Sequence, residues 1–177
     1  MQWITAVLIS LAAASAVSLG GWGITRMVMA ENYDNEIGDH LERAGTANTV
    51  ELALPELQIA IANIEARGLT HGDSTLIGKG SVQDDVGFWY ANLKAVQGDL
   101  ERLSADSTPH EKNLVLVKLK MTLQTVHPGG ISIYPHNVGV AWWAWGSVAG
   151  VFGFLLLAIF ADEWVKAHAR RPYIIAD

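Results

Sequence analysis

The stretch Val138–Ala161, VGVAWWAWGSVAGVFGFLLLAIFA, decides the fold. It holds no charge and lies between Asn137 and Asp162. An uninterrupted apolar run of about 20 residues matches the hydrocarbon thickness of a bilayer when it is helical. A buried helix of a globular protein rarely stays apolar on every face for so long. Trp142, Trp143 and Trp145 mark one end and Trp164 the other, where indole rings favour the membrane interface. The tail DEWVKAHARRPYIIAD brings Lys166, Arg170 and Arg171, and such cations mark the cytoplasmic side. The run is therefore expected to cross from outside to inside.

Working outward, Met1–Met29 (MQWITAVLISLAAASAVSLGGWGITRMVM) carries a second apolar core from Trp3 to Ile24, long enough to span. A cleaved signal peptide competes with this reading, and Ala14–Ala16 offers small residues for cleavage. The absence of a basic leading segment and the length of the run favour a retained anchor. Both termini are then cytoplasmic. Both runs carry small residues at four-residue spacing: Ala6, Ser10, Ala14 and Ser18, with Ala12, Ala16 and Gly20 as a second ridge, in the first run, and Gly146 and Gly150, with Ala149 and Gly153 beside them, in the second. Small residues let helix backbones approach closely in lipid, so these ridges are expected to pack the helices together or to self-associate.

Between the runs the chain is polar and acidic. From Glu31 to Asn137 there are 15 acidic and 8 basic residues, in a chain of net charge −6. That balance argues against nucleic acid, whose phosphates need Lys and Arg. There is no cysteine, hence no disulfide framework, thiolate metal site or thiol nucleophile.

Helical periodicity recurs through this middle region. Tyr33, Ile37 and Leu41 extend the first helix outward, with Gly45 as its stop. Leu54, Leu57, Ile61 and Ile64 share one face of a helix over Thr46–Arg67, with Pro55 near its start and Gly68 just past its end. Val86, Trp89, Leu93, Val96, Leu100 and Leu103 form a sustained stripe over Asp84–Ser104, capped by Asp84 or Asp85. Thr108-Pro109-His110-Glu111 is a capping box with proline at the first helical position. The helix it opens carries Leu116, Leu119, Leu123 and Val126 on one face and Leu114, Val117 and Met121 on the next. So wide an apolar arc predicts the most buried helix of the set. Pro128-Gly129-Gly130 ends it, and Ile131–Asn137 is expected to be a short extended lead into the second apolar run.

Three consecutive aromatics, Phe88, Trp89 and Tyr90, cannot all point into one small core. Trp89 belongs to the core stripe, and the triplet is the candidate partner-binding site, since Trp and Tyr are favoured interface anchors. The segment Thr75–Leu93, with its DDVGFWYANL, resembles a stretch of uncharacterised two-span membrane proteins of bacteria and their phages. The resemblance implies that setting and brings no activity with it.

Gly78-Lys79-Gly80-Ser81 departs from the phosphate-loop spacing and follows no strand. Asp34, Glu36 and Asp39 lack the glycine of a calcium loop, and His71 with Asp73 reads as a solvated loop. No two of the six histidines have the four-residue spacing of a helical zinc pair, although His40, His127 and His136 could converge near the outer membrane surface. No nucleophile elbow occurs, and neither apolar core holds an ionisable residue, the usual sign of an ion path.

The expectation is an all-α protein with two transmembrane helices flanking an extracytoplasmic bundle of three to four helices. Its parts are 1–29 (first span), 30–137 (periplasmic or extracellular domain), 138–161 (second span) and 162–177 (cytoplasmic tail). It is expected to lie in the cytoplasmic membrane as a non-enzymatic accessory or scaffold subunit, without cofactor or metal. Its partners would be the bilayer and other membrane subunits or copies of itself. The alternative is an extracytoplasmic sensor that signals through a separate protein.

Overall fold

The computed structural model describes residues 2–75, 80–103, 107–125 and 128–169. Among these the chain is all-helical, and its one departure is an isolated antiparallel bridge between Asp73 and Asp85. The helices are α1 (Gln2–Tyr33), α2 (Asp39–Thr46), α3 (Val50–Ala66), α4 (Val86–Arg102), α5 (Pro109–Thr125) and α6 (Asn137–Ala169). Two compact units result, one of Met1–Thr25 with Val140–Asp177 and one of Arg26–Gly139.

In the first unit, α1 and α6 contribute helices long and apolar enough to cross a membrane. Ser18 Oγ accepts from Trp143 Nε1 at 2.9 Å and from Ser147 Oγ at 3.0 Å. Gly150 faces Ser15: a Cβ there would lie 2.4 Å from Ser15 Oγ and 3.0 Å from its Cβ, so a larger residue would require Ser15 to shift. Rising numbers on α1 meet falling numbers on α6, so the pair is antiparallel. Leu8, Ala12, Ser15, Leu19 and Trp22 of α1 are buried or half-buried. So are Val140, Ala144, Ser147, Val151, Phe154, Ala158 and Ala161 of α6. Both sets alternate spacings of four and three, the 3.5-residue repeat of a left-handed helix seam.

This seam takes single members of the ridges expected from sequence, such as Ala12, and follows none of them along its length. Ser18 and Gly150 take part in it, but Ala6, Ser10, Ala14 and Gly146 are exposed, and no atom lies within 4 Å of a Cβ built on Gly146. A strict four-residue spacing drifts around a helix of 3.6 residues per turn, whereas alternating fours and threes stay on one seam.

The second unit is a helical bundle. The turn Asp34–Gly38 is a π-helix, in which the Asp39 amide donates to the Asp34 carbonyl. This wide turn keeps Tyr33, Ile37 and Leu41, spaced by four, on the core side, and all three are buried with Ala44. After α2 the chain turns into α3, which buries Ala53, Leu57, Ala60, Ile61 and Ile64 and leaves Pro55 outward. Gly68, with φ +70°, ends α3. Its amide donates to Glu65 O at 3.0 Å, and Leu69 N donates to Ile64 O at 2.9 Å. The pair is a Schellman motif, completed by burial of Leu69 beside Ile64.

α4 begins where Asp85 accepts from Phe88 N at 2.9 Å, and Asp84 instead closes a capping box with Ser81 one turn earlier. Val86, Trp89, Leu93, Val96 and Leu100 are buried as the stripe requires, and Leu103 packs against them. The Thr108–Glu111 capping box opens α5, with Glu111 accepting from Thr108 N at 2.7 Å and Thr108 Oγ1 accepting from Glu111 N at 3.3 Å. Around the bundle α2 touches α3 and α5, α4 touches α3 and α5, and α3 faces α5 across the diagonal with slight contact.

Two expectations are corrected in this unit. α5 is the least buried of α3, α4 and α5. Leu119 alone is fully buried, Val115, Leu116 and Leu123 pack partly, and Leu114, Val117 and Met121 are exposed. A helix at a bundle corner has only one face toward the core, so an arc wider than that face must meet solvent. The segment 131–137 is compact rather than extended. Gly130, with φ +72°, turns the chain into a 3₁₀ turn over Ile131–Ile133 that buries both isoleucines. Tyr134 Oη then donates to His71 O, and Asn137 Nδ2 donates to Thr75 O at 2.5 Å.

Exposed carboxylates tie the surface together. A hydrogen bond with His40, aided by Arg43, holds the Glu56 carboxyl below the usual range, and the Tyr90 hydroxyl does so for Glu65. Ser81 acts likewise on Asp84, and Thr108 on Glu111. Because folding depresses each pKa, the associated stability is present above the ordinary carboxylate range of about 3.9–4.3 and is lost as pH falls through the depressed values. Melting of the full chain in detergent should therefore hold steady from neutrality to about pH 5 and decline below about pH 4. An unchanged melting curve at pH 3 would contradict these ties.

Candidate functional site

The aromatic triplet divides as helical geometry dictates. Successive residues point about 100° apart, so with Trp89 inward its neighbours lie toward the two flanks. Trp89 is 1% exposed and belongs to the core, so it offers no surface to a partner. Tyr90 is half-buried against α3, and its hydroxyl donates to Glu65 Oε1 at 2.6 Å. Phe88 is 51% exposed on the α5 side.

Phe88 does not stand alone. With Asn92 it forms one wall of a groove of about 300 Å³, whose other wall is Leu114, Val117, Lys118 and Met121 of α5. Leu114 and Val117 are 63% and 53% exposed. The lining joins the apolar side chains of Phe88, Leu114, Val117 and Met121 to the polar ones of Asn92, Lys118 and Thr122, a mixture found at interaction surfaces. Sequence reading singled out Phe88 but assigned the α5 wall to the interior. The signal was present in the arc of Leu114, Val117 and Met121, too wide for one core face.

A second groove, of about 370 Å³, lies between α2 and α5, with Trp89 at its floor and Glu42 and Lys120 among its lining. Gly38 of the π-turn and Gly45 line its α2 side. A Cβ on Gly45 would come within 2.9 Å of Leu123 Cδ1, a terminal methyl that would have to turn aside.

The polar residues considered for chemistry are otherwise engaged. His40 Nδ1 lies 2.6 Å from Glu56 Oε2, and Arg43 Nε donates to the same oxygen at 3.0 Å, which joins α2 to α3. His136 is exposed, and His127 lies outside the described residues, as do Gly78 and Lys79 of the glycine-rich loop. Asp73 accepts from the Thr75 amide at 2.8 Å and from its hydroxyl, a turn-stabilising pattern. Among the described residues no three His, Cys, Asp or Glu side chains are grouped to hold a metal ion.

The chain thus combines two long apolar helices with a helical bundle that carries an exposed apolar groove. Comparison with protein-family models, with curated proteins and with solved structures finds no match for it.

Proposed function

We propose that the chain is a non-catalytic integral membrane protein, an accessory or scaffold subunit of a membrane complex. In this reading α1 and α6 cross the cytoplasmic membrane, both termini lie in the cytoplasm, and the 26–139 unit works on the other side. The observation that carries it is the groove at Phe88, where apolar side chains of two helices remain in solvent. Exposed apolar clusters with polar rims mark interaction sites. Phe88→Ala should leave the fold intact, because half of that side chain is already solvated, and should reduce co-purification of partner subunits from mildly solubilised membranes. Undiminished recovery of every partner would remove the groove from the function.

The topology is tested separately. With no native cysteine, single cysteines report cleanly. Asn48 is exposed in the 26–139 unit. Cysteine at Asn48 should react with a membrane-impermeant reagent on intact cells or spheroplasts, and cysteine at Ala176 should not. The reverse pattern would invert the topology.

A sensor role is the second reading, favoured by the groove over Trp89. It requires a small molecule that raises the melting temperature of the chain, an effect that contacts with the exposed lining of that groove, Glu42, Lys120 and Gln124, would confer.

A further inference from the structure

We infer that the groove between α2 and α5 binds a free α-amino acid with an apolar side chain, held as its zwitterion between Glu42 and Lys120. The inference rests on the sensor reading above and names the class of ligand. Each helix lines the groove with an apolar residue and a charged one: Leu41 and Glu42 on α2, Leu123 and Lys120 on α5. Leu41 and Trp89 are buried and Leu123 is half-buried, whereas Glu42 and Lys120 are exposed. An apolar floor with a few polar groups around it is the usual build of a small-molecule site.

The charges select the ligand. The other described lysines of this unit are paired: Lys94 with Glu65, Lys112 with Glu51 and Lys118 with Asp99. Glu42 and Lys120 stand apart from them. Among the described residues neither side chain makes an ion pair or a hydrogen bond, although both line this one groove from neighbouring helices. A carboxylate and an ammonium that share a groove without meeting are complementary to an ammonium and a carboxylate on one small ligand. Each contact would be a charge-assisted hydrogen bond, roughly twice as strong as a neutral one. Gln124, four residues on from Lys120, adds an amide to the same lining, and an amide can donate to a carboxylate.

Size and relief restrict the ligand further. The groove holds about 370 Å³, near the lower end of the range of about 300–1,000 Å³ for small-molecule sites. That volume suits a single amino acid rather than a helix or a peptide of several residues. Gly38 and Gly45 line the α2 side and bring no side chain to fill it. An apolar side chain laid against Leu123 would leave water, which favours leucine-like amino acids over polar ones.

The test varies ligand and protein separately. Full-length protein in detergent is melted with L-leucine, L-leucine methyl ester or N-acetyl-L-leucine; the two derivatives keep the side chain and lack the carboxylate and the ammonium in turn. L-leucine should raise the melting temperature as its concentration rises, and each derivative should bind at least about tenfold more weakly, as loss of one charged contact implies. Glu42→Gln and Lys120→Gln, both at exposed positions, should melt like the parent without ligand and lose the response to L-leucine. Equal stabilisation by all three compounds would overturn the inference and leave the sensor reading with an uncharged apolar ligand. An undiminished response in the two Gln variants would overturn it as well. So would the absence of any response to L-leucine, L-valine, L-methionine and L-phenylalanine. The sensor reading falls separately, if no compound of a metabolite library moves the melting temperature.

Discussion

Trp89→Ala is expected to remove hydrogen-exchange protection from α3 and α4 together and to collapse the melting transition of the 26–139 unit. Trp89 is the largest fully buried side chain, and it sits among Ile37, Leu57, Leu93 and Leu119 in one core cluster. Replacing a buried Trp by Ala costs about 3–5 kcal/mol, through lost transfer energy and the cavity left behind. A domain of this size holds roughly 5–15 kcal/mol in all, so one substitution consumes a third or more of a typical reserve. Because Trp89 also floors the α2–α5 groove, the cavity would open to water and could not collapse on apolar neighbours alone. Phe88→Ala in the same experiment should leave protection nearly unchanged, since that ring is half solvated. The pair thus separates core from surface between adjacent residues. Full protection in Trp89→Ala would mean that the stripe of α4 does not organise the bundle.

The stripe that makes this prediction possible was legible because each of its members is apolar and falls at a spacing of three or four. Helix ends were legible for a similar reason. Thr108 with Glu111, Asp85 before Phe88, and Gly68 before Leu69 satisfy orphan backbone groups within a few residues, so local sequence suffices. What failed depended on distant partners. The width of the α5 apolar arc is a property of its sequence, but the number of helices that cover it is not, and two neighbours leave Leu114 and Val117 in solvent. The ridge of Ala6, Ser10 and Ala14 looked like a packing surface because small residues occur in several registers of α1. Only contact with α6 selects the seam through Ala12 and Ser15. The same limit applied to the site. Phe88 could be picked out from three adjacent aromatics on α4, whereas the opposite wall of its groove comes from α5 and needed the fold.

Gly72→Val is the second substitution expected to have a large effect, and its cause is entirely non-local. Gly72 holds φ at +103°, where a β-branched residue is strongly disfavoured. Holding a non-glycine residue there costs about 1–3 kcal/mol. A Cβ at this position would also lie 2.0 Å from Tyr134 Oη and 2.9 Å from Cζ, so the Tyr134 ring must move. Forcing extra atoms into a packed contact costs about 1–3 kcal/mol more. Moving Tyr134 breaks its hydrogen bond to His71 O, and a shift of the Gly72 backbone endangers the 2.9 Å bond from Val86 N that fixes the start of α4. The variant should therefore lose exchange protection at 69–75, 131–137 and the first turn of α4. A double substitution with Tyr134→Ala should recover the steric part and leave the backbone part, a coupling that a mutant cycle measures. Gly139→Ala serves as the control, since nothing lies within 4 Å of its added methyl and its helical backbone accepts alanine, so it should be neutral or slightly stabilising. If Gly72→Val melts like that control, the tie between the 69–75 loop and Tyr134 does not hold the unit together.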